Sequence, residues 1–351
     1  MYLDLQRPST RARLNDPERY LQSQADALVV LDEVQTMPEL FPVLRAAIDE
    51  DKRPGRFLLL RPNGVKGPRS GAAAPELLRS TAESLAGRIA YTELPGLRLD
   101  ELPADVPVDR HWLRGGFPFA YGLDEAVDRL DFAAAYLQTF IGTDLRDLAG
   151  GSDPAGMRRL VLMLTHLQGT TLNLSQLSRS LEVSYKTVQR YLDILESAFL
   201  LRMLPPFLPN LRKRLTKSPK VYLRDSGLVH GLLGLTSADQ VLAHPVVGGS
   251  WEGYVVEQVI AAAPPHTEAF HYRSARGHEI DLILVAPDGG IRSIEVKRSN
   301  APSLSKAYHT AVGDVKAAHN FVVTPDSDRY PIGEITEVIG LRDLLAELRS
   351  Q

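Results

Sequence analysis

Two sets of residues in this chain carry the side chains that chemistry on phosphates would need. The first is Asp32-Glu33, which ends the apolar run ALVVLDEVQ. Carboxylates at the C-terminal end of a buried strand sit where ligands collect in open α/β sheets, and an acid pair there suits one group on Mg²⁺ and one on an attacking water. The second is Glu252 in HPVVGGSWEGYVVEQVIAAA, followed by Asp281, Glu295 and Lys297 in EIDLILVAPDGGIRSIEVKRS. Strand alternation puts Glu295 and Lys297 on one face. A two-residue turn at Asp288-Gly289 would set Asp281 opposite Val296. A three-residue loop at 288–290 pairs Asp281 with Lys297 and gathers the polar groups together, and this loop is the one expected.

The elements that must hold these residues can be read from hydrophobic period. Residues 27–31 form a buried strand, TMPELFPVLRAAIDED a helix with Pro38 in its first turn, and FLLL a second strand ending at Leu60. A helical pattern through LDFAAAYLQTFIGTDLRDL ends at GGSDPAG, a domain boundary near residue 150. Beyond it, RRLVLMLTHLQG and LSQLSRSLE read as helices, Ser184 as a cap, and YKTVQRYLDILESAF as a third helix with Val188, Tyr191, Leu192 and Leu195 inward. LLRMLPPF adds a strand, which makes a helix-turn-helix plus wing over 151–208. On its third helix Lys186, Gln189 and Arg190 face out with Tyr185, and Arg212, Lys213 and Arg214 follow the wing. This basic group suits phosphate contacts, and equally suits a solvated loop beside a packing motif.

In the last domain Glu252 lies on the stripe formed with Val255, Val256, Val259 and Ile260, while Glu257 points elsewhere. The plain alternative for Glu252 is a wet acid in the first helical turn. Histidines 271, 278, 309 and 319 lack ligand-like spacing.

Bulk composition narrows the class. At 351 residues the chain needs more than one core; 44% hydrophobic and 24% charged residues are those of a globular protein, and no apolar run matches a bilayer's thickness. With no cysteine and no signal-like N-terminus, a cytoplasmic location is expected. The net charge of −3 leaves nucleic-acid contact to a local patch.

The blocks YLDLQRP (2–8), LNDPERYL (14–21), LVVLDEVQTMPELFPVLRAAIDEDKRPGRFLL (28–59), ESLAGRIAYTELPGLRLDEL (83–102) and GGFP (115–118) are similar, in order and spacing, to those of prokaryotic AAA-type ATP-binding proteins with a C-terminal domain of unknown function. The resemblance implies an α/β multidomain chain. An AAA-type domain with helical lid would cover 1–150, with Asp32 and Glu33 as its Walker B acids, and ATP as cofactor if a phosphate loop is present. The family's GxxxxGK[ST] loop, which cradles phosphates, has no match in these residues. GVKGPRSG at 64–71 follows the acid pair and lacks the Gly-Lys-Ser/Thr ending. The expectation is a nucleotide site that is either truncated upstream of Met1 or degenerate.

The set Glu252, Asp281, Glu295 and Lys297 resembles the PD-(D/E)XK nuclease core, expected over 209–351. In such enzymes carboxylates, here Asp281 and Glu295, bind Mg²⁺ and the lysine orients or deprotonates water. Three functions follow as expectations: an AAA-type protein with a disabled nucleotide site and a DNA-binding winged helix; a Mg²⁺-dependent nuclease; or a regulatory scaffold without chemistry. Nucleic acid and self-association are the expected partners, and no membrane.

Overall fold

The computed structural model describes residues 1–60, 85–144, 153–208 and 218–350. It divides into two compact units, Met1–Leu94 and Pro95–Gln351. The GVKGPRSG stretch and the basic residues Arg212, Lys213 and Arg214 lie outside the described residues.

In the first unit β1 (Tyr2–Asp4), β2 (Val29–Asp32) and β3 (Phe57–Leu60) form a parallel sheet in that order, with Asp4 beside Asp32 and Asp32 beside Leu60. Helices α1 (Pro8–Arg13), α2 (Pro17–Ser23) and α3 (Leu40–Glu50) accompany it. Both short helices begin at proline, whose fixed φ and missing N–H suit a first turn, and Asp16 caps α2 by accepting from the Arg19 amide. Leu3, Leu5, Leu31, Leu40, Leu44 and Leu85 are buried in one core. The described helix α3 starts two residues after Pro38, because a 3-10 turn at Val34–Thr36 absorbs the chain after β2.

The second unit opens with α4 (Val108–Arg114), α5 (Pro118–Tyr121) and α6 (Ala126–Thr139). Then follow α7 (Pro154–Thr165), β4 (Thr170–Thr171), α8 (Leu174–Leu181), α9 (Tyr185–Ser197), β5 (Leu201–Leu204) and β6 (Lys220–Leu223). The three strands make an antiparallel sheet ordered β4-β6-β5. Ser184 caps α9 as expected, and Asp153 and Asn173 likewise accept backbone amides of the first turns of α7 and α8. The chain turns between α8 and α9 through Glu182, in the left-handed region at φ 56°. Val188, Tyr191, Leu192 and Leu195 all point into the core that α6, α7 and α8 share.

Helices α10 (Ser226–Leu232), α11 (Ala238–Ala243) and α12 (Val247–Ala262) lead to a six-stranded mixed sheet. Its strands are β7 (Glu268–Arg273), β8 (Glu279–Val285), β9 (Ile291–Val296), β10 (His319–Thr324), β11 (Tyr330–Pro331) and β12 (Thr336–Gly340), ordered β11-β12-β10-β9-β8-β7. Helix α13 (Lys306–Val315) connects β9 to the parallel β10, and α14 (Leu341–Arg349) closes the chain. Helix α12 is buried on nearly every side, with Trp251, Tyr254, Val255, Val256, Gln258 and Val259 all inside, so a single apolar stripe does not describe it.

The GGFP block owes its glycines to a close approach. Gly115 has φ +77°, and a Cβ there would lie 2.3 Å from a carboxylate oxygen of Asp225. That carboxylate accepts the Gly116 amide at 2.7 Å and caps α10 by accepting the Leu228 amide at 2.6 Å. Arg298 lies 5.2 Å from both the Trp112 and Trp251 ring centres and pairs with Asp109 at 2.6 Å, tying α4 and α12 to the end of β9.

Candidate functional site

The β8–β9 hairpin has a three-residue loop, but over 287–289, closed by the Ala286 amide donating to the Gly290 carbonyl at 2.9 Å. The register pairs Leu282 with Ile294 and Ile283 with Ser293. One step further brings Asp281 opposite Glu295, so the expected pairing of Asp281 with Lys297 is corrected by two residues. The polar groups still share a face, because a shift of two preserves side-chain direction. Gly289 at φ +84° lets the loop form one residue earlier than expected.

Lys297 Nζ is 2.6 Å from Glu295 Oε1, and the Asp281 carboxylate accepts the Val296 amide at 3.0 Å. Glu252 is the sixth residue of α12, beyond the first turn, and its side chain is largely buried. The wet-acid alternative therefore does not hold. The three acids and one lysine singled out from the sequence thus belong to one neighbourhood.

A fifth residue sits at its centre. Lys220, the first residue of β6, is 1% exposed. Its Nζ lies 2.7 Å from Glu252 Oε1, 2.5 Å from Glu279 Oε1 and 3.0 Å from Asp281 Oδ1. Tyr222, two residues on and on the same strand face, donates to Glu252 Oε1 at 2.6 Å. Lys220 is not among the candidate site residues singled out from the sequence, where it follows the basic stretch that begins at Arg212. The available signal was the pattern KVYL, in which a lysine and a tyrosine alternate with apolar residues on a strand that proves buried throughout.

The electrostatics follow from burial and from these neighbours. Burial, and then the charge of Asp281, push the Glu252 carboxyl up to about 7 against the pull of Lys220. The same causes raise Glu295 to about 8, although Lys297 opposes them. Burial works against the charge on Lys220, but Asp281 and Glu252 outweigh it and hold the ammonium well above its usual range. Lys297 likewise stays charged, raised by Glu295 against its own burial.

A divalent ion needs several carboxylate oxygens free to converge on it at short distance. Here three carboxylates already converge on an ammonium, and Glu295 Oε1 is taken by Lys297. Among the described residues no group of three or more His, Cys, Asp or Glu side chains is arranged to hold a metal ion. The cluster as it stands does not fit Mg²⁺.

The helix that carries Glu252 holds a second buried ion group. Glu257 on α12 accepts from Arg202 of β5 and from Arg224 Nε, just after β6, the latter at 2.8 Å. Burial favours the neutral acid, but the two guanidinium groups bring Glu257 down to about 2. Expected off the stripe that carries Glu252, Glu257 is itself largely buried, and it clamps the small sheet onto α12.

In the first unit, Asp32 and Glu33 occupy the C-terminal end of the middle strand of a parallel sheet. Asp32 accepts from the Tyr2 hydroxyl of β1 and from the Glu33 amide at 3.0 Å. Glu33 takes a left-handed conformation at φ 57°, uncommon for a glutamate and typical of a residue that must redirect the chain at a strand end.

The exposed part of α9 lies at its start. Tyr185, Lys186 and Arg190 are exposed, with Tyr185 at 55%, while Gln189 donates to Asp193 at 2.9 Å.

Comparison with known proteins gives three family matches: an AAA domain over residues 1–102, a domain of unknown function (DUF8612) over 107–239, and another (DUF4143) over 247–344. An uncharacterised protein of Mycobacterium tuberculosis is 36% identical over 342 residues, 97% of this chain and 74% of that protein. An uncharacterised protein of Mycobacterium bovis matches with the same identity and coverage. No solved structure matches the chain. No helix among the described residues is long and apolar enough to cross a membrane.

Proposed function

The chain belongs to the family of these mycobacterial proteins and carries an AAA domain, and we propose that it works as an AAA-type protein whose second unit holds duplex nucleic acid on a winged helix. The observation that carries this reading is the order helix, strand, helix, helix, strand, strand over residues 154–223, with Tyr185, Lys186 and Arg190 exposed at the start of the helix that would enter the groove. Ser184 caps that helix by accepting the Thr187 amide at 3.1 Å, which fixes the direction of its first turn. Lys186 and Arg190 then serve phosphates, Tyr185 and Gln189 lie beside them, and the basic residues 212–214 lie in the sequence joining the last two strands.

The PD-(D/E)XK-like arrangement of Glu252, Asp281, Glu295 and Lys297 is proposed as a scaffold for this binding and not as a cutting site, because Lys220 already neutralises its carboxylates. In the AAA domain Asp32 and Glu33 are proposed as the acids that face Mg²⁺ and water when nucleotide is held. No GxxxxGK[ST] motif occurs among these residues to grip a triphosphate.

The test is anisotropy of a labelled DNA duplex against salt concentration. Affinity should fall steeply as salt rises, and Lys186→Ala and Arg190→Ala should each flatten the log–log slope by about 1. Binding that is absent, or whose salt slope ignores both substitutions, would assign the motif to internal packing.

A further inference from the structure

The resemblance of the carboxylate cluster to a metal-dependent nuclease core implies a divalent cation, and the side chains present leave it no place. We propose that Lys220 is a built-in cation that occupies the divalent-ion position among Glu252, Glu279 and Asp281, so that this site excludes metal in the native chain and accepts it once the ammonium is removed.

Valence and anchoring both favour the ammonium at this position. An ammonium has three hydrogens, and Lys220 Nζ has three carboxylate oxygens at 2.5–3.0 Å, one from each acid. A metal drawn to the same oxygens would meet a full positive charge within hydrogen-bond distance. The lysine is also held in place. Its backbone is paired on both sides, to Thr171 of β4 and to Leu204 of β5, in the middle strand of the small sheet. Its side chain is 1% exposed. Glu257 fastens that sheet to α12, the helix that carries Glu252, through Arg202 and Arg224.

The other groups on these acids fit the same picture. Tyr222 donates a second hydrogen bond to Glu252 Oε1, the Val296 amide binds Asp281, and Arg273 lies 3.2 Å from Glu279. Glu295 Oε2 is buried with no hydrogen-bond partner. Take away the Lys220 charge, and the three acids Glu252, Glu279 and Asp281 remain around one buried point, with Arg273 paired to Glu279 and Lys297 paired to the neighbouring Glu295. Hard oxygen ligands in that number are what Mg²⁺ and Mn²⁺ require. The assignment goes beyond nucleic-acid binding and stands apart from it: the DNA salt slope reports on α9, and metal uptake reports on Lys220.

The experiment is Mn²⁺ uptake by the full chain, read by loss of the free-ion signal in electron paramagnetic resonance, together with the thermal midpoint with and without Mn²⁺. The native chain is expected to take up none at the cluster. Lys220→Met, which keeps the length of the side chain and removes the charge, is expected to bind one Mn²⁺ with Kd on the order of 10⁻⁴ M. Its midpoint should rise with Mn²⁺, and both effects should vanish when Asp281→Asn is added. Should Lys220→Met fold poorly, the charge-balanced Lys220→Met/Glu279→Gln carries the same expectation, and recovery of fold on adding Mn²⁺ counts for the proposal. Native-chain uptake that Asp281→Asn abolishes would overturn it. So would Lys220 variants that neither bind Mn²⁺ nor gain stability from it.

Discussion

Glu257→Gln tests the clamp that holds the Lys220 strand in place. The native carboxylate sits between Arg202 and Arg224 with its side chain 11% exposed, and the two arginines bring its pKa from 4.5 to about 2. A depressed acid stabilises the fold above its unfolded pKa and loses that contribution as pH falls through the folded value. A shift of about 2.5 units corresponds to about 3 kcal/mol at pH 6, of which about 2 kcal/mol has gone by pH 3. Glutamine has no charge to lose, and it withdraws the carboxylate from two largely buried guanidinium groups, so the variant should be less stable by about 3–5 kcal/mol at pH 6. The assay is urea unfolding followed by tryptophan fluorescence. The chain's two tryptophans, Trp112 and Trp251, are both buried in the second unit, so the signal reports that unit alone. The gap between native and variant should narrow by about 2 kcal/mol between pH 6 and pH 3, while titrations elsewhere cancel in the difference. A gap that is constant with pH, or absent at pH 6, would refute the reasoning.

Two further outcomes follow from the same geometry. Gly115→Ala forces a Cβ against the Asp225 carboxylate at a positive φ and should cost about 2–3 kcal/mol, seen as a lower thermal midpoint; an unchanged midpoint would deny the close approach. Glu295 is raised from 4.5 to about 8, so its contribution is full below pH 4.5 and is lost as pH rises through 8. Glu295→Gln should therefore flatten the decline of second-unit stability between pH 5 and pH 8, and an unaltered decline would assign that titration to another group.

Much of this was legible from residue types and spacing, and the exceptions have physical reasons. The helix at 185–197 could be placed because period and cap agree: Ser184 accepts an amide where a first turn needs an acceptor, and Val188, Tyr191, Leu192 and Leu195 share one buried face. The convergence of Asp281, Glu295 and Lys297 survived an error in register because the error was an even number of residues. Lys220 was not found, because a lysine after a basic run reads as a surface residue until its partners, 32 and 61 positions away, are folded onto it. The pairing of Glu257 with Arg202 and Arg224 was hidden for a related reason. A helix enclosed on nearly all sides has no solvent face to which a polar residue can be assigned, so each acid on it must be matched to a cation from elsewhere in the chain.

The most direct test of the account is to mix the full chain with a DNA duplex in Mg²⁺ or Mn²⁺ at rising salt and to resolve both bound and cut DNA on gels. Retarded duplex that is released by salt and recovered intact is the expected result. Metal-dependent cleavage that disappears in Lys297→Ala would contradict it, since a site closed by Lys220 cannot seat the ion such a reaction uses.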